Sequence, residues 1–146
     1  MSDPLIDRAR AAAAAAHAGQ LDKQGRDYVE AHLEPVAEAL TAHQPEVVAA
    51  GWLHDIVEDT DWTVERVAEE FGPEVARAVD AVTRRADETY DELIERAAAD
   101  PLGRLVKLAD NSVNLAANES LAVSDPETAA RLRAKYETAR RRLLES

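Results

Sequence analysis

The amino-acid sequence predicts an all-α fold, a single compact bundle of about seven or eight helices. Three observations lead there. Ala, Glu, Arg and Leu are abundant, with only five Gly and scattered β-branched residues, which favours helix throughout. Helix start and stop signals recur along the chain. No segment alternates apolar and polar residues as a half-buried strand does.

The elements follow in order. Asp3-Pro4 supplies a cap and a first-turn proline to a helix that carries Ala11 to Ala16 and stops near Gly19. A second helix is expected at about 27–41 and a third at about 45–59. Thr63 caps a short helix through Val64, Val67 and Phe71, stopped by Gly72-Pro73, and another runs from Pro73 to about Thr83. Thr89 and Glu92 form a capping box for the helix to Ala99, and Asp100-Pro101 opens the next, with "LVKLADNSVNLAA". Ser124 and Glu127 read as a second box, around Pro126, for the last helix. Loops fall at about 20–26 and 84–88. Without repeat or linker, 1–146 reads as one domain, with a motif-bearing core at about 11–117 and a C-terminal helix at about 125–145.

Composition narrows the chemistry. At 146 residues the chain can bury a core without staples, and the lack of Cys excludes disulfides, thiolate metal sites and a Cys nucleophile. No apolar run approaches the roughly 20 residues that span a bilayer. The start, "MSDPLIDRAR", lacks the basic-then-apolar layout of a signal peptide, so a cytoplasmic location is expected. The net charge of −12, from 29 acidic and 17 basic residues, argues against nucleic acid or a membrane surface as partner. A small phosphorylated substrate needs only a local basic patch or a metal. The oligomeric state is not written in the sequence.

The stretch "GWLHDIVEDTDW" sets Trp52, Leu53, Ile56 and Val57 among His54, Asp55, Glu58, Asp59 and Asp61. At about 100° per residue, His54 stacks on Glu58 and Asp55 on Asp59, within an arc of roughly 140° opposite the apolar one. Carboxylates at this density repel one another unless a cation sits among them. Taken alone, the face is open to reading as a solvated acidic surface. Imidazole beside carboxylate also suits Zn, Mn or Fe. In "LVKLADNSVNL", Asp110 and Asn114 stand one turn apart with Lys107 nearby, opposite Leu105, Leu108 and Val113, as on any amphipathic helix. His32, in "DYVEAHLEPVA", alone reads as a core histidine. Together, two imidazoles and two carboxylates from three helices can make a metal site of nitrogen and oxygen donors with positions left for water. Glu58 and Asp59, one turn beyond, sit where a water or leaving group needs a proton partner.

This pattern resembles the HD-domain metal-dependent phosphohydrolases, and within them the hydrolase domain of the RelA/SpoT alarmone enzymes and their small stand-alone relatives. The likeness runs from about Ala11 to Ala117, through "AAHAGQ", "GRDYVEAHLEPVA", "WLHDIVEDTDWT", "FGPEVARAVDAVT" and "LVKLADNSVNL" in the family's order. The "LHDIVEDT" run and the later "KLADxxxNL" are its specific part. The resemblance implies an all-α bundle holding one divalent ion, usually Mn²⁺, on His32, His54, Asp55 and Asp110. It makes Glu58 and Asp59 the pair that positions and activates water, and Asn114 a substrate contact. The implied reaction removes the 3′-pyrophosphate of guanosine tetra- or pentaphosphate.

Departures from the family pattern fall on substrate contacts. Asp22 stands where an Arg packing on the purine is usual, beside Lys23, and Asn111 stands where Arg or Lys is usual. One extra residue separates Tyr28 from His32, and Leu33 replaces the usual Pro. Lys23 and Arg26, with Arg104 and Lys107, are the local cations available to a phosphate; Lys23 and Lys107 are taken as substrate contacts. His17 and His43 read as helix-end residues, and Trp52, Trp62, Phe71 and Tyr136 as core or interface packing. Two other readings stay open: a nucleotidase or pyrophosphohydrolase of another HD subfamily, and a non-catalytic nucleotide-binding domain.

Overall fold

The computed structural model describes residues 3–145. Its helices are α1 (Pro4–Ala16), α2 (Glu34–Ala39), α3 (Pro45–Leu53), α4 (Ile56–Asp59), α5 (Val64–Phe71), α6 (Pro73–Val82), α7 (Tyr90–Ala99), α8 (Pro101–Ser124) and α9 (Pro126–Leu144). Among the described residues the only β pairing is a lone bridge, Leu21 to Asp27, which pinches the loop after α1. The fold is all-α, as the sequence predicts, and no described helix is long and apolar enough to cross a membrane.

Most helix boundaries follow from side chains that satisfy the first free N–H groups. Asp3 accepts from Leu5 N–H at 2.8 Å, Thr63 from Arg66 N–H at 3.1 Å, and Asp100 from Gly103 N–H at 2.9 Å. The Thr89–Glu92 capping box is formed in both directions. The last boundary differs from expectation. Asp125, not Ser124, caps α9, accepting from Thr128 N–H at 3.2 Å, while Ser124 stays helical with its hydroxyl on the Leu121 carbonyl. Both residues are competent caps, and Pro126 at the first helical position selects its immediate neighbour.

Two departures from regular helix shape the centre of the molecule. Residues Val29–Leu33 form a π turn that runs directly into α2, closed by Glu34 N–H on the Val29 carbonyl. A π turn absorbs one extra residue in a helix, and one extra residue separates Tyr28 from His32 relative to the spacing that the resemblance implies. Pro35 favours the same widening, since it lacks an N–H and its ring crowds the carbonyl four residues back in a regular helix. The second departure interrupts the expected helix over 45–59. His54 Nδ1 lies 2.7 Å from the Gly51 carbonyl oxygen, the group that would accept from Asp55 N–H if α3 continued. Asp55 accordingly adopts φ −105° and ψ 1°, and α4 starts afresh at Ile56.

The core centres on α3, whose residues from Val47 to Leu53 are all buried and which packs against α1, α2, α6 and α8. Gly51 permits the approach of α2: a Cβ there would stand 2.7 Å from Leu40 Cδ1 and 3.5 Å from the Ala37 backbone. Leu33, Leu53 and Ile56, each 0% exposed, anchor the three segments whose neighbouring residues are His32, His54 and Asp55. The packing that excludes water thus also brings the candidate ligands together.

Candidate functional site

His32 from the π turn, His54 from the end of α3 and Asp110 from the middle of α8 converge. His32 Nε2 lies 3.2 Å from His54 Nε2 and 2.9 Å from Asp110 Oδ1, and His54 Nε2 lies 3.3 Å from the same oxygen. Asp55 Oδ2 joins at 3.1 Å from His54 Nε2 and 3.8 Å from His32 Nε2. The Gly51 carbonyl can only accept, so His54 Nδ1 carries a proton and a neutral His54 turns its Nε2 lone pair inward. Donor separations near 3 Å suit neighbouring positions around a divalent ion with bonds of about 2.1 Å. The donor set fits such an ion.

Electrostatics carry the same message. Burial alone would lower the basicity of His54, but the Asp55 charge and hydrogen bonds to Asp110 and Asp55 hold its pKa well above the usual imidazole range. Burial would raise both carboxyls; instead His54 brings Asp55 down to about 2, and the Lys107 ammonium, with the two imidazoles, holds Asp110 well below the usual range. A proton on His54 Nε2 stands in for a cation, and metal binding would displace it.

Flanking groups hold the ligands. Tyr28 donates its hydroxyl to Asp55 Oδ2 and stacks on His32, ring centroids 5.1 Å apart. Burial, then the Asp55 charge, raises the Tyr28 pKa, so it remains a phenol and a donor. Lys107, expected to touch substrate, instead places Nζ 2.9 Å from Asp110 Oδ2, its side chain 12% exposed. Asn114 Nδ2 lies 3.4 Å from Asp110 Oδ1.

Glu58 and Asp59, exposed on α4, are each held from a different loop. Arg84 donates its backbone N–H to Glu58 Oε1, and Gln20 Nε2 donates to Asp59 Oδ2 at 3.0 Å. Desolvation raises the Glu58 pKa; the Arg84 N–H offsets part of this and the Asp55 charge adds to it. The loop carrying Arg84 is fixed by Arg96, whose guanidinium forks onto Glu88 at 2.8 and 2.9 Å and reaches the Asp80 and Thr83 carbonyls.

A cavity of about 340 Å³ opens beside the cluster. Its lining includes the polar His32, Asp55, Asp110 and Asn114, the cations Lys23 and Arg26, and the largely apolar Ala117, Leu121, Leu132 and Tyr136. Neither Glu58, Asp59 nor Lys107 lines it. Asp22 accepts from Gln24 N–H and Arg26 N–H and pairs with Arg26 Nε at 2.9 Å, so the acid at this position secures the loop and steadies a guanidinium at the cavity. Asn111 is 1% exposed and donates to the Tyr136 carbonyl at 2.8 Å, joining α8 to α9 rather than facing the cavity. Arg104 is engaged by the Ala98 carbonyl at 2.6 Å. Gln20, Tyr28 and the Arg84 main chain are contributors that residue patterns alone did not single out as site residues, whereas Arg26 lines the cavity as one of the cations expected for a phosphate. Tyr28, one turn before His32, carried a signal; the Arg84 N–H carried none.

The fold and this cluster define an HD-type helical domain, and the HD domain family model matches residues 9–139. The chain belongs to that family. It is 35% identical over 122 residues to a guanosine-3′,5′-bis(diphosphate) 3′-pyrophosphohydrolase of Aquifex aeolicus, covering 75% of this chain and 17% of that protein. With a probable GTP pyrophosphokinase of Mycobacterium leprae the identity is also 35% over 122 residues, at 76% and 15% coverage. A human guanosine-3′,5′-bis(diphosphate) 3′-pyrophosphohydrolase, MESH1, is 40% identical over 106 residues, at 64% and 57% coverage. The chain therefore spans only part of the length of these relatives. A solved structure described as a metazoan ortholog of SpoT that hydrolyzes ppGpp superposes with a TM-score of 0.72 at 31% identity, covering 82% of this chain and 73% of that one.

Proposed function

We propose that this chain is a metal-dependent pyrophosphohydrolase that removes the 3′-pyrophosphate of guanosine tetra- or pentaphosphate. The observation that carries the reading is the convergence of His32, His54 and Asp110, with Asp55 beside them, next to an open cavity that His32, Asp55 and Asp110 line, in a chain similar to 3′-pyrophosphohydrolases. These four residues would hold the ion, with Mn²⁺ the one proposed. When bound, it supplies charge to polarise a phosphoryl oxygen and lower the pKa of a bound water.

The remaining chemistry belongs to the protein. Asp59, oriented by the Gln20 amide, takes the proton of the attacking water. Glu58, beside Asp59 on α4, is assigned the proton delivered to the 3′-oxygen as the bond to phosphorus breaks. Asn114 contacts the substrate beside Asp110, and Lys23 with Arg26 supplies positive charge at the cavity of an acidic protein. Lys107 serves indirectly, by holding Asp110.

The experiment is a substrate panel of alarmones, 5′-nucleotides and dinucleotides, read as pyrophosphate against phosphate release, with Mn²⁺ and with chelator. Pyrophosphate release from guanosine tetraphosphate is expected, together with joint loss of metal and activity in Asp55→Ala. An untouched panel, or activity retained in Asp55→Ala, would sink the reading. Asp22 and Asn111, standing where cations are usual, favour one alternative, an HD enzyme acting on another nucleotide; faster turnover of 5′-nucleotides would select it.

A further inference from the structure

The Gln20 amide lies between two groups that fix its orientation. Gln20 Nε2 is 3.0 Å from Asp59 Oδ2, and a carboxylate only accepts, so the amide nitrogen faces Asp59. Gln20 Oε1 is then turned to His17 Nδ1 at 2.8 Å, and an amide oxygen only accepts, so Nδ1 carries the imidazole proton. A neutral His17 therefore has its lone pair on Nε2. That atom is buried without a hydrogen-bond partner, in a residue only 1% exposed.

Burying an imidazole with one nitrogen unmatched is unfavourable, and closing α1 does not require it: the backbone N–H groups of residues 17 and 18 make the C-terminal contacts, to the Ala13 and Ala15 carbonyls respectively. The side chain does something else. Its ring packs against Tyr28, centroids 5.7 Å apart, and Tyr28 in turn donates to Asp55. Held there, Nδ1–H excludes the flipped amide. A flipped Gln20 would present oxygen to the Asp59 carboxylate; two acceptors would then face each other, and the hydrogen bond that holds Asp59 in place would be lost.

We propose that His17 is a positioning residue of the hydrolytic site: its Nδ1–H locks the Gln20 amide so that Nε2 holds the Asp59 carboxylate in its orientation. The inference rests on the catalytic reading of Asp59 given above. The end of α1, outside the four-ligand cluster, thus sets the second member of the carboxylate pair.

The test has one arm that needs no turnover. In the full-length protein, ¹⁵N NMR of the His17 ring should show the proton on Nδ1, and Gln20→Ala should move it to Nε2. The second arm is kinetic, with Mn²⁺-loaded protein and guanosine tetraphosphate. His17→Ala should lower kcat by about tenfold with KM little changed, as expected when a proton-transfer group is misoriented rather than binding lost. His17→Asn, whose amide N–H falls near the place of Nδ1, should recover most of that kcat, with thermal melting confirming that each variant is folded. A bare Nδ1 in the wild type, or equal kcat in His17→Ala and His17→Asn, would overturn the proposal. If the wild type hydrolyses no alarmone yet its ring proton sits on Nδ1 and moves in Gln20→Ala, the lock stands and the hydrolase reading is what fails.

Discussion

Replacing Lys107 by Met asks how far Asp110 depends on a cation of its own. The ammonium is 2.9 Å from Asp110 Oδ2, with the two side chains 12% and 9% exposed. Met preserves the buried stem and much of the volume, so the substitution removes charge more than packing. Breaking one partner out of a buried ion pair costs about 3–5 kcal/mol. His32 remains on the other oxygen at 2.9 Å, so the loss in metal-free protein should fall at the lower end, about 3 kcal/mol. With a divalent ion bound, Asp110 keeps a positive neighbour and the repulsion between ion and ammonium disappears. The loss in loaded protein should therefore be smaller, and a thermodynamic cycle makes the difference equal to a gain in metal affinity. If the penalty is halved, the gain is about tenfold, since about 1.4 kcal/mol corresponds to each factor of ten. Urea unfolding of wild type and Lys107→Met, with chelator and with saturating Mn²⁺, measures both losses, and a direct Mn²⁺ titration closes the cycle. Equal losses in the two states, or weaker Mn²⁺ binding in the variant, would refute the reasoning.

Other perturbations test other parts of the structure. Glu58→Gln should lower kcat by about 100-fold at unchanged metal content; activity within threefold of wild type removes Glu58 from proton transfer. Gly103→Ala would set a Cβ 2.6 Å from Ala81 Cβ and 3.3 Å from Asp100 Cβ, forcing α6 and α8 apart. A loss of about 1–3 kcal/mol is expected, with weaker Mn²⁺ binding because α8 carries Asp110; an unchanged urea midpoint counts against that packing. Hydrogen bonds from Arg96, then the Arg85 N–H, hold the Glu88 carboxyl at about 2, below its ordinary 4.5. A depressed carboxyl contributes stability that is complete above the unfolded pKa and disappears as pH falls through the folded one. Glu88→Gln should therefore flatten the acid limb of the urea midpoint between about pH 4.5 and 2; an unaltered limb would show that the fork contributes nothing there.

The sequence carried most of the helix map because caps and stops are local. Asp3, Thr63, Thr89 and Asp100 act through N–H groups two or three residues away, so their types and spacing suffice. The convergence of His32, His54 and Asp110 was legible for a different reason: two imidazoles and two carboxylates on three helices can share a cation, and the family resemblance named these residues. The break after Leu53 was not legible. No Gly or Pro marks it, apolar residues continue through Ile56 and Val57, and its cause is a side chain capturing the Gly51 carbonyl. Lys107 reads as a lysine free to contact substrate until folding places Asp110 one turn along in a buried setting. Asn111 and the Arg84 N–H depend on α9 and on the loop fixed by Arg96, contacts that no local pattern encodes.

An added residue in a regular helix would turn everything beyond it by about 100° and advance it about 1.5 Å. The π turn over Val29–Leu33 takes up that slip in place, so Tyr28 still meets Asp55 while Val36 and Ala37 still enter the core. Chain length and site geometry are thereby uncoupled here: a single-residue insertion or deletion becomes a local edit to helix pitch, with both walls of the cavity left standing. This turn is a place where a lineage can change length without first losing the site.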